Sequence, residues 1–416
     1  MVIRSSVHVA HSLSSDKDPI ILRCVGLTLA RLSTEAVNST RIVQEYGVSA
    51  LCNIAMKFSS VPGISQPVST ALQLLAQQPN TRIAAVQEGC VTSIAQLLHS
   101  STDLFTLQSS LYALGNLLIE ADNHLPIVQQ GLILTLVNMC DNEDALIKDL
   151  CAYAFFNMSC AEDSRKHIVN AGAIPSIISL SVQESSLTKQ RCAAALCNVS
   201  AYEAGMSRMV TDGIIPALVS LLSEDDITIH YACAALCRMC MSLENSEMIS
   251  SSGGVPKLVS GALNGDTITR RFCGAVLSTL SFYDTCRAPL VELGGIAALK
   301  QLSQEYDDVS QQRCLVAFAN ISCDETVQAR MVEEGVVAIT ASLIGNSYQE
   351  KNFICCAKAL CNLACAESTR LLVAQQGGVH ALMMISMVHS VDRQTKLLCV
   401  MALYNLLDAT TVDFML

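Results

Sequence analysis

Glycine recurs along this chain at a near-constant interval. Gly47, Gly89, Gly131, Gly172, Gly213, Gly253, Gly294, Gly335 and Gly377 lie about 41 residues apart, and each precedes a similar apolar stretch. A fixed period of this length marks a stack of supersecondary units, none of which can bury its own apolar face alone. The period predicts a solenoid. One array running from end to end also removes the need for the several globular domains that a 416-residue chain would otherwise suggest.

A stack needs a packable core, and the composition supplies one. Hydrophobic residues make up 51% of the chain and Trp is absent, so the core must be built from Leu, Ile, Val, Ala, Met and Cys. No stretch reaches the roughly 18 uncharged apolar residues that a membrane span needs. The longest candidates, 132–140 and 381–388, read as repeat helices, so no membrane span is expected. The start, Met-Val-Ile-Arg-Ser-Ser, offers no signal-peptide core, Val2 stands where N-myristoylation needs glycine, and the C-terminus has no prenylation cysteine box. A cytoplasmic address is the expectation.

Twenty cysteines suggest disulfides until they are placed on the repeat. Cys151, Cys192, Cys273, Cys314, Cys356 and Cys399 fall at one repeat position, where the sixth repeat has Ala232. A site alternating Cys with Ala is a small packed helix position, so reduced structural thiols are expected, in keeping with a reducing compartment. Cys237-Arg-Met-Cys240 and Cys355-Cys356 lack a second Cys pair or paired His at a ligand spacing. No metal and no cofactor are expected.

The fifth repeat shows the unit. Residues 164–172 predict a short helix closed by Gly172, because glycine adopts the left-handed conformation that ends a helix. Pro175, matched by Pro216 and Pro256, suits the first turn of a second helix, along which Ile174, Ile177, Ile178 and Val182 recur at helical spacing. After the polar break at 183–186, a third helix carries Cys192, Ala195, Leu196 and Val199 on one face.

A short helix, a glycine and two longer helices in about 41 residues resemble the armadillo repeat. Its most specific residues here are Gly-x-x-Pro followed by a third-helix ending of the Tyr112-Ala-Leu-Gly-Asn116, Ala195-Leu-Cys-Asn198, Ala359-Leu-Cys-Asn362 and Ala402-Leu-Tyr-Asn405 kind. The resemblance implies an all-α, right-handed superhelix of about ten repeats with three helices each. The approximate repeats are 1–33, 34–78, 79–120, 121–161, 162–202, 203–243, 244–283, 284–324, 325–367 and 368–416. The first has no room for a first helix, so it is either a cap or the remainder of a repeat in a longer protein.

In armadillo proteins the third helices line a concave groove, and an asparagine near the end of each grips the backbone of an extended peptide. The matching positions here are Arg31, Gln73, Asn116, Asn157, Asn198, Arg238, Thr279, Asn320, Asn362 and Asn405. An asparagine both donates and accepts, so a row of them holds a main chain regardless of its side chains. Such an asparagine could instead satisfy groups inside its own repeat. Importin-α-like receptors place Trp one turn earlier, where this chain has Tyr112, Tyr153, Ala194, Ala234, Ala275, Val316, Lys358 and Met401, so recognition of basic cargo is not expected.

Charge gives the functional expectation. Twelve-residue windows ending at the third-helix positions hold twelve bases, among them Arg191, Arg238, Arg270, Arg271, Arg313 and Lys358, against the single acid Asp149. The chain as a whole carries −11. A basic strip on an acidic body would steer an acidic or phosphorylated strand into the groove. Nucleic acid is not expected, because no aromatic platforms interleave the bases.

Catalysis finds no support. The eight histidines occupy unrelated repeat positions, and Gly253-Gly254 and Gly294-Gly295 lack the Gly-Lys-Ser/Thr of a phosphate loop. Asn157-Met-Ser, Asn198-Val-Ser and Asn320-Ile-Ser are repeat asparagines rather than glycosylation sites. The expectation is a non-enzymatic scaffold binding an extended acidic segment of a partner protein, similar to cytoskeletal or axonemal armadillo proteins. The alternatives are a vacuolar-type tether or the solenoid part of a larger enzyme.

Overall fold

Helices end at the repeated glycines because those residues take a backbone conformation that other residues avoid. In a computed structural model of the chain, Gly89, Gly131, Gly172, Gly213, Gly253, Gly294, Gly335 and Gly377 have φ between 73° and 92°. The structure describes residues 2–13, 18–305, 307–345 and 350–407. It contains 29 α-helices and two short 3-10 turns, with no strand among the described residues. The fold is an all-α solenoid.

The fifth repeat shows the expected construction. Its helices are Glu162–Asn170, Ile174–Ser181 and Ser186–Val199, with Pro175 in the first turn of the second. Ile174, Ile177, Cys192, Ala195, Leu196 and Val199 are fully buried, whereas Val182, expected in the same stripe, is 70% exposed because the helix ends before it. The described residues 2–13 and 18–32 form the helices Val2–Leu13 and Pro19–Leu32, packed on each other. By contact density the chain divides into two compact units, Met1–Ile214 and Ile215–Leu416. Each is a stack of such repeats.

Gly47 departs from the expected register. It opens the helix Gly47–Phe58, and the left-handed position before it belongs to Tyr46, with φ 62°. A Cβ on Gly47 would lie 2.8 Å from the carbonyl oxygen of Ile42. The same collision awaits Gly254 with Ile249, Gly295 with Leu290 and Gly378 with Val373, at 2.6 to 2.7 Å. Gly47 thus corresponds to the second glycine of the Gly-Gly pairs, which permits close helix approach.

The repeat-position cysteines Cys151, Cys192, Cys273, Cys314, Cys356 and Cys399 are all 0% exposed. All twenty cysteines are free thiols, although Cys233 Sγ and Cys273 Sγ approach to 3.7 Å across adjacent third helices. Burial pushes the Cys192, Cys314 and Cys356 thiols far above the ordinary thiol range, so they stay protonated and pack as small apolar groups. No group of His, Cys, Asp or Glu among the described residues forms a metal-binding cluster. No described helix is long and apolar enough to cross a membrane.

Most third helices start on carboxylates, the helix Ser186–Val199 starting on Ser185 and Pro62–Gln77 on Val61. Asp103, Asp144, Asp225, Asp266, Asp307 and Asp392 each accept a backbone N–H of the first turn, a cap of about 1 kcal/mol. The same carboxylates also join neighbouring repeats. Gln66 donates to Asp103 at 3.0 Å, Gln108 to Asp144 at 3.1 Å, and Arg271 pairs with Asp307 at 3.4 Å. A side chain early in one third helix therefore reaches the cap of the next and fixes the register of the stack.

Candidate functional site

Within each unit the third helices lie side by side, which places their repeat-equivalent residues in rows. Asn198 Nδ2 donates to Ser159 Oγ at 3.0 Å, Asn320 Nδ2 to Ser281 Oγ at 3.0 Å, and Asn362 Nδ2 to Ser322 Oγ at 3.0 Å. Each serine belongs to the preceding repeat, two residues past its third-helix position. Ser159, Ser281 and Ser322 each donate in turn to their own helix, to Phe156, Ser278 and Ala319 carbonyls. The hydroxyl is thus orientated to accept from the asparagine, and the amide plane of the asparagine is held by the repeat before it.

This geometry differs from both readings of the sequence in one respect. The asparagine bonds across repeats, not within its own; Asn198 and Asn362 Nδ2 also meet Cys160 Sγ at 3.8 Å and Cys323 Sγ at 3.4 Å, so it is Oδ1 that carries no hydrogen bond among the described residues. Asn405 lacks the serine, since Ala364 stands there, and keeps the cysteine contact alone, its Nδ2 meeting Cys365 Sγ at 3.7 Å. Asn157 is 8% exposed and donates to the Gly115 carbonyl at 2.9 Å. Thr279 turns inward on its helix, bonding the Ala275 carbonyl at 3.0 Å.

In the first unit Tyr112, Asn116, Tyr153, Asn157 and Arg191 form one connected cluster. The Tyr112 and Tyr153 rings stand 6.4 Å apart, and the Tyr153 hydroxyl donates to Asn116 Oδ1 at 3.4 Å. Gly115 permits this, because a Cβ there would collide with the Tyr153 ring. Asn116 Nδ2 is buried with no acceptor. The Arg191 guanidinium lies over the Tyr153 ring, 4.8 Å from its centroid, while its Nη1 meets Asp149 Oδ2 at 2.7 Å. Asp149 also accepts from the Thr188 hydroxyl at 2.9 Å. The cation, the ring face and the carboxylate satisfy one another.

In the second unit Arg270 pairs with Glu305 at 2.8 Å and Arg271 with Asp307 at 3.4 Å. Arg238 is exposed. Arg313 and Lys358 carry no ion pair among the described residues. Lys358 is exposed, four residues before Asn362 in the helix Glu350–Leu363; Arg313 is half-buried, seven residues before Asn320 in the helix Asp308–Ile321. These two helices pack directly on each other.

The strongly basic strip counted from the sequence is therefore much weaker. Each counting window begins about two residues inside its helix and so omits the cap. Starting the windows two residues earlier brings in Asp18, Asp103, Asp144, Asp225, Asp266, Asp307 and Asp392, with Asp226, Asp308 and Glu350, and leaves thirteen bases against eleven acids. Sequence reasoning missed the cap carboxylates and the orienting serines. Of the latter, Ser159 and Ser322 were in view in the triplets Asn157-Met-Ser and Asn320-Ile-Ser, each serving the asparagine of the following repeat, whereas Ser281 follows Thr279.

No protein-family model and no curated protein matches the chain. Its structure matches that of a solved engineered protein with TM-score 0.71 and 24% identity, over 98% of this chain and 99% of that one. Computationally designed armadillo repeat proteins for modular peptide recognition match 55% of this chain and 99% of their own, with TM-score 0.51 and 19% identity. A further designed armadillo repeat protein matches 56% of this chain and 99% of its own, with TM-score 0.50 and 19% identity.

Proposed function

We propose that this chain, whose fold is that of an armadillo-like repeat solenoid, is a non-enzymatic scaffold that holds an extended segment of a partner protein on its third-helix face. One observation carries the reading. Asn198, Asn320 and Asn362 are fixed by the preceding repeat through Nδ2, and the Oδ1 of each carries no hydrogen bond among the described residues. Such acceptors match the N–H groups of a strand-like backbone, and their prior ordering removes part of the entropic cost of binding. Modular peptide recognition by designed proteins of the same fold supports this use of the surface.

We assign a preference for acidic segments to Arg313 and Lys358, which no described carboxylate pairs with and which share their helices with Asn320 and Asn362. Arg191 and Arg271 are internal partners of Asp149 and Asp307 and would contribute little to a ligand. The buried thiols suit the cytosol, and an assembly or docking role on the cytoskeleton or axoneme is the setting we assign.

Affinity capture with the whole chain, followed by titration of the captured partner's minimal peptide, tests the reading. Asn320→Ala with Asn362→Ala should weaken that peptide about ten-fold or more. Arg313→Glu with Lys358→Glu should weaken it further and flatten its salt dependence. Unchanged affinity in the alanine pair would refute the backbone grip, and unchanged salt dependence in the glutamate pair would refute the acidic preference.

A further inference from the structure

A second row runs parallel to the asparagines. At the second position of successive third helices stand Phe105, Leu146 and Leu187 in the first unit and Ile227, Ile268 and Val309 in the second. All six are 48 to 53% exposed. The fold does not require them to be apolar. The residue after each in the second unit, Thr228, Thr269 or Ser310, is the buried one, at 0 to 1% exposed, and it bonds the helix cap. Single exposed aliphatics are ordinary on protein surfaces, but a row of them in register is not.

Carboxylates flank the row in the second unit: Asp225 and Asp226 beside Ile227, Asp266 beside Ile268, and Asp308 beside Val309, where the neighbouring Asp307 is held by Arg271. We infer that Ile227, Ile268 and Val309 with these carboxylates form a second docking track, for a basic amphipathic helix of a partner protein. The track is distinct from the asparagine row. Ile268 precedes Thr279 by eleven residues in one helix, close to three turns, so both rows share a helix face about 16 Å apart at 1.5 Å per residue. An extended peptide on the asparagines leaves that distance uncovered.

Spacing and charge choose the occupant. The helices Asp226–Met239, Thr267–Leu280 and Asp308–Ile321 pack successively, and packed helices lie roughly 8–10 Å apart. A partner helix laid across them advances about 10.5 Å per heptad, so one aliphatic residue in seven meets each repeat. Lysine or arginine beside those positions would face the carboxylates. Backbone and hydroxyl bonds from Thr269 hold Asp266 near a pKa of about 2, so it remains charged for that contact. An anionic membrane would be repelled by the same groups.

The test uses the whole chain and a fluorescent synthetic helix of three heptads, with leucine once per heptad and lysine beside it, read by anisotropy. Ile268→Ser with Val309→Ser, both at exposed sites, should leave the melting curve unchanged and weaken the probe about ten-fold. A peptide of the same composition with its leucines scrambled should bind about ten-fold more weakly than the probe. Asn320→Ala with Asn362→Ala should leave probe binding intact, which separates this track from the asparagine row. Equal binding of the scrambled peptide, or of the serine variant, would reduce the interaction to charge alone and overturn the track, as would a matching loss in the asparagine variants.

Discussion

The third-helix faces of the two units use equivalent positions differently. In the first, Arg191, Asp149, Thr188, Tyr153 and Asn116 are bonded to one another, and the ring face that could meet a ligand is covered by the protein's own guanidinium. In the second, Val316 stands at the repeat position of Tyr153, and Arg313 and Lys358 precede Asn320 and Asn362 in their helices without an ion pair among the described residues. One repeat position can hold the stack together or be left to a ligand. Which of these applies depends on neighbours about 40 residues away, not on the residue itself.

The largest effects should show no difference between the units. Phe155 and Phe318 are fully buried at equivalent places in the third helices. Phe155→Ala and Phe318→Ala should each cost about 3–5 kcal/mol through lost burial and a residual cavity. Denaturant titration of each variant measures this, and a large disparity would mean that the two cores are built differently. Asp149→Ala comes next, at about 2 kcal/mol, because it leaves Arg191 and the Thr188 hydroxyl without their shared acceptor. Lys358→Ala should change stability by less than about 0.5 kcal/mol, as a surface residue away from any network does. Equal costs for Asp149 and Lys358 would erase the contrast.

Arg191→Ala sharpens it through binding. The substitution uncovers the Tyr153 face beside Tyr112 and frees the Asp149 carboxylate, an arrangement suited to a lysine or arginine side chain. A basic peptide should bind the variant about ten-fold more tightly than the parent, a gain of about 1.4 kcal/mol. Isothermal titration would show the gain. No change would mean that Arg191 does not close the site.

The repeat glycines were legible in the sequence because eight of them have one local cause, a left-handed helix end. Gly47 was misregistered because it serves the other glycine role, close approach, and Tyr46 hides the break. The third-helix caps follow equally local chemistry and were passed over only because the charge count began inside each helix. The serine that turns each asparagine was legible as a motif but not as a contact, because its partner lies a full repeat later. Arg191 could not be read as closed from its own surroundings, since Asp149 and Tyr153 precede it by about a repeat. Local rules fix each unit of the stack, whereas the state of a surface residue is decided between repeats.

Acid should separate the units by the smallest margin. In the second unit Asp266 is held to a pKa of about 2, first by the Thr269 backbone N–H and then by its hydroxyl, and bonds from the first helical turn hold Asp307 and Asp392 below the usual carboxylate range as well. In the first unit bonds from Thr106 and Gln66 hold Asp103 below its ordinary value despite burial, and the cap equivalent to Asp266 in the helix Ser186–Val199 is Ser185, which does not titrate. A carboxyl whose folded pKa lies below its unfolded value of 3.8 contributes fully above that value. Its contribution falls away as pH drops through 3.8 toward about 2, because the unfolded chain binds the proton first. Stability conferred by these caps should therefore be flat from neutral pH down to about 5 and decline below about 4, more steeply in the second unit than in the first. Hydrogen exchange resolved by repeat across that range would show protection lost first around the helices Thr267–Leu280, Asp308–Ile321 and Arg393–Leu406. Asp266→Asn keeps a capping oxygen and removes the titration, so it should flatten the decline locally; uniform loss of protection in both units would show that the caps do not set the acid limit.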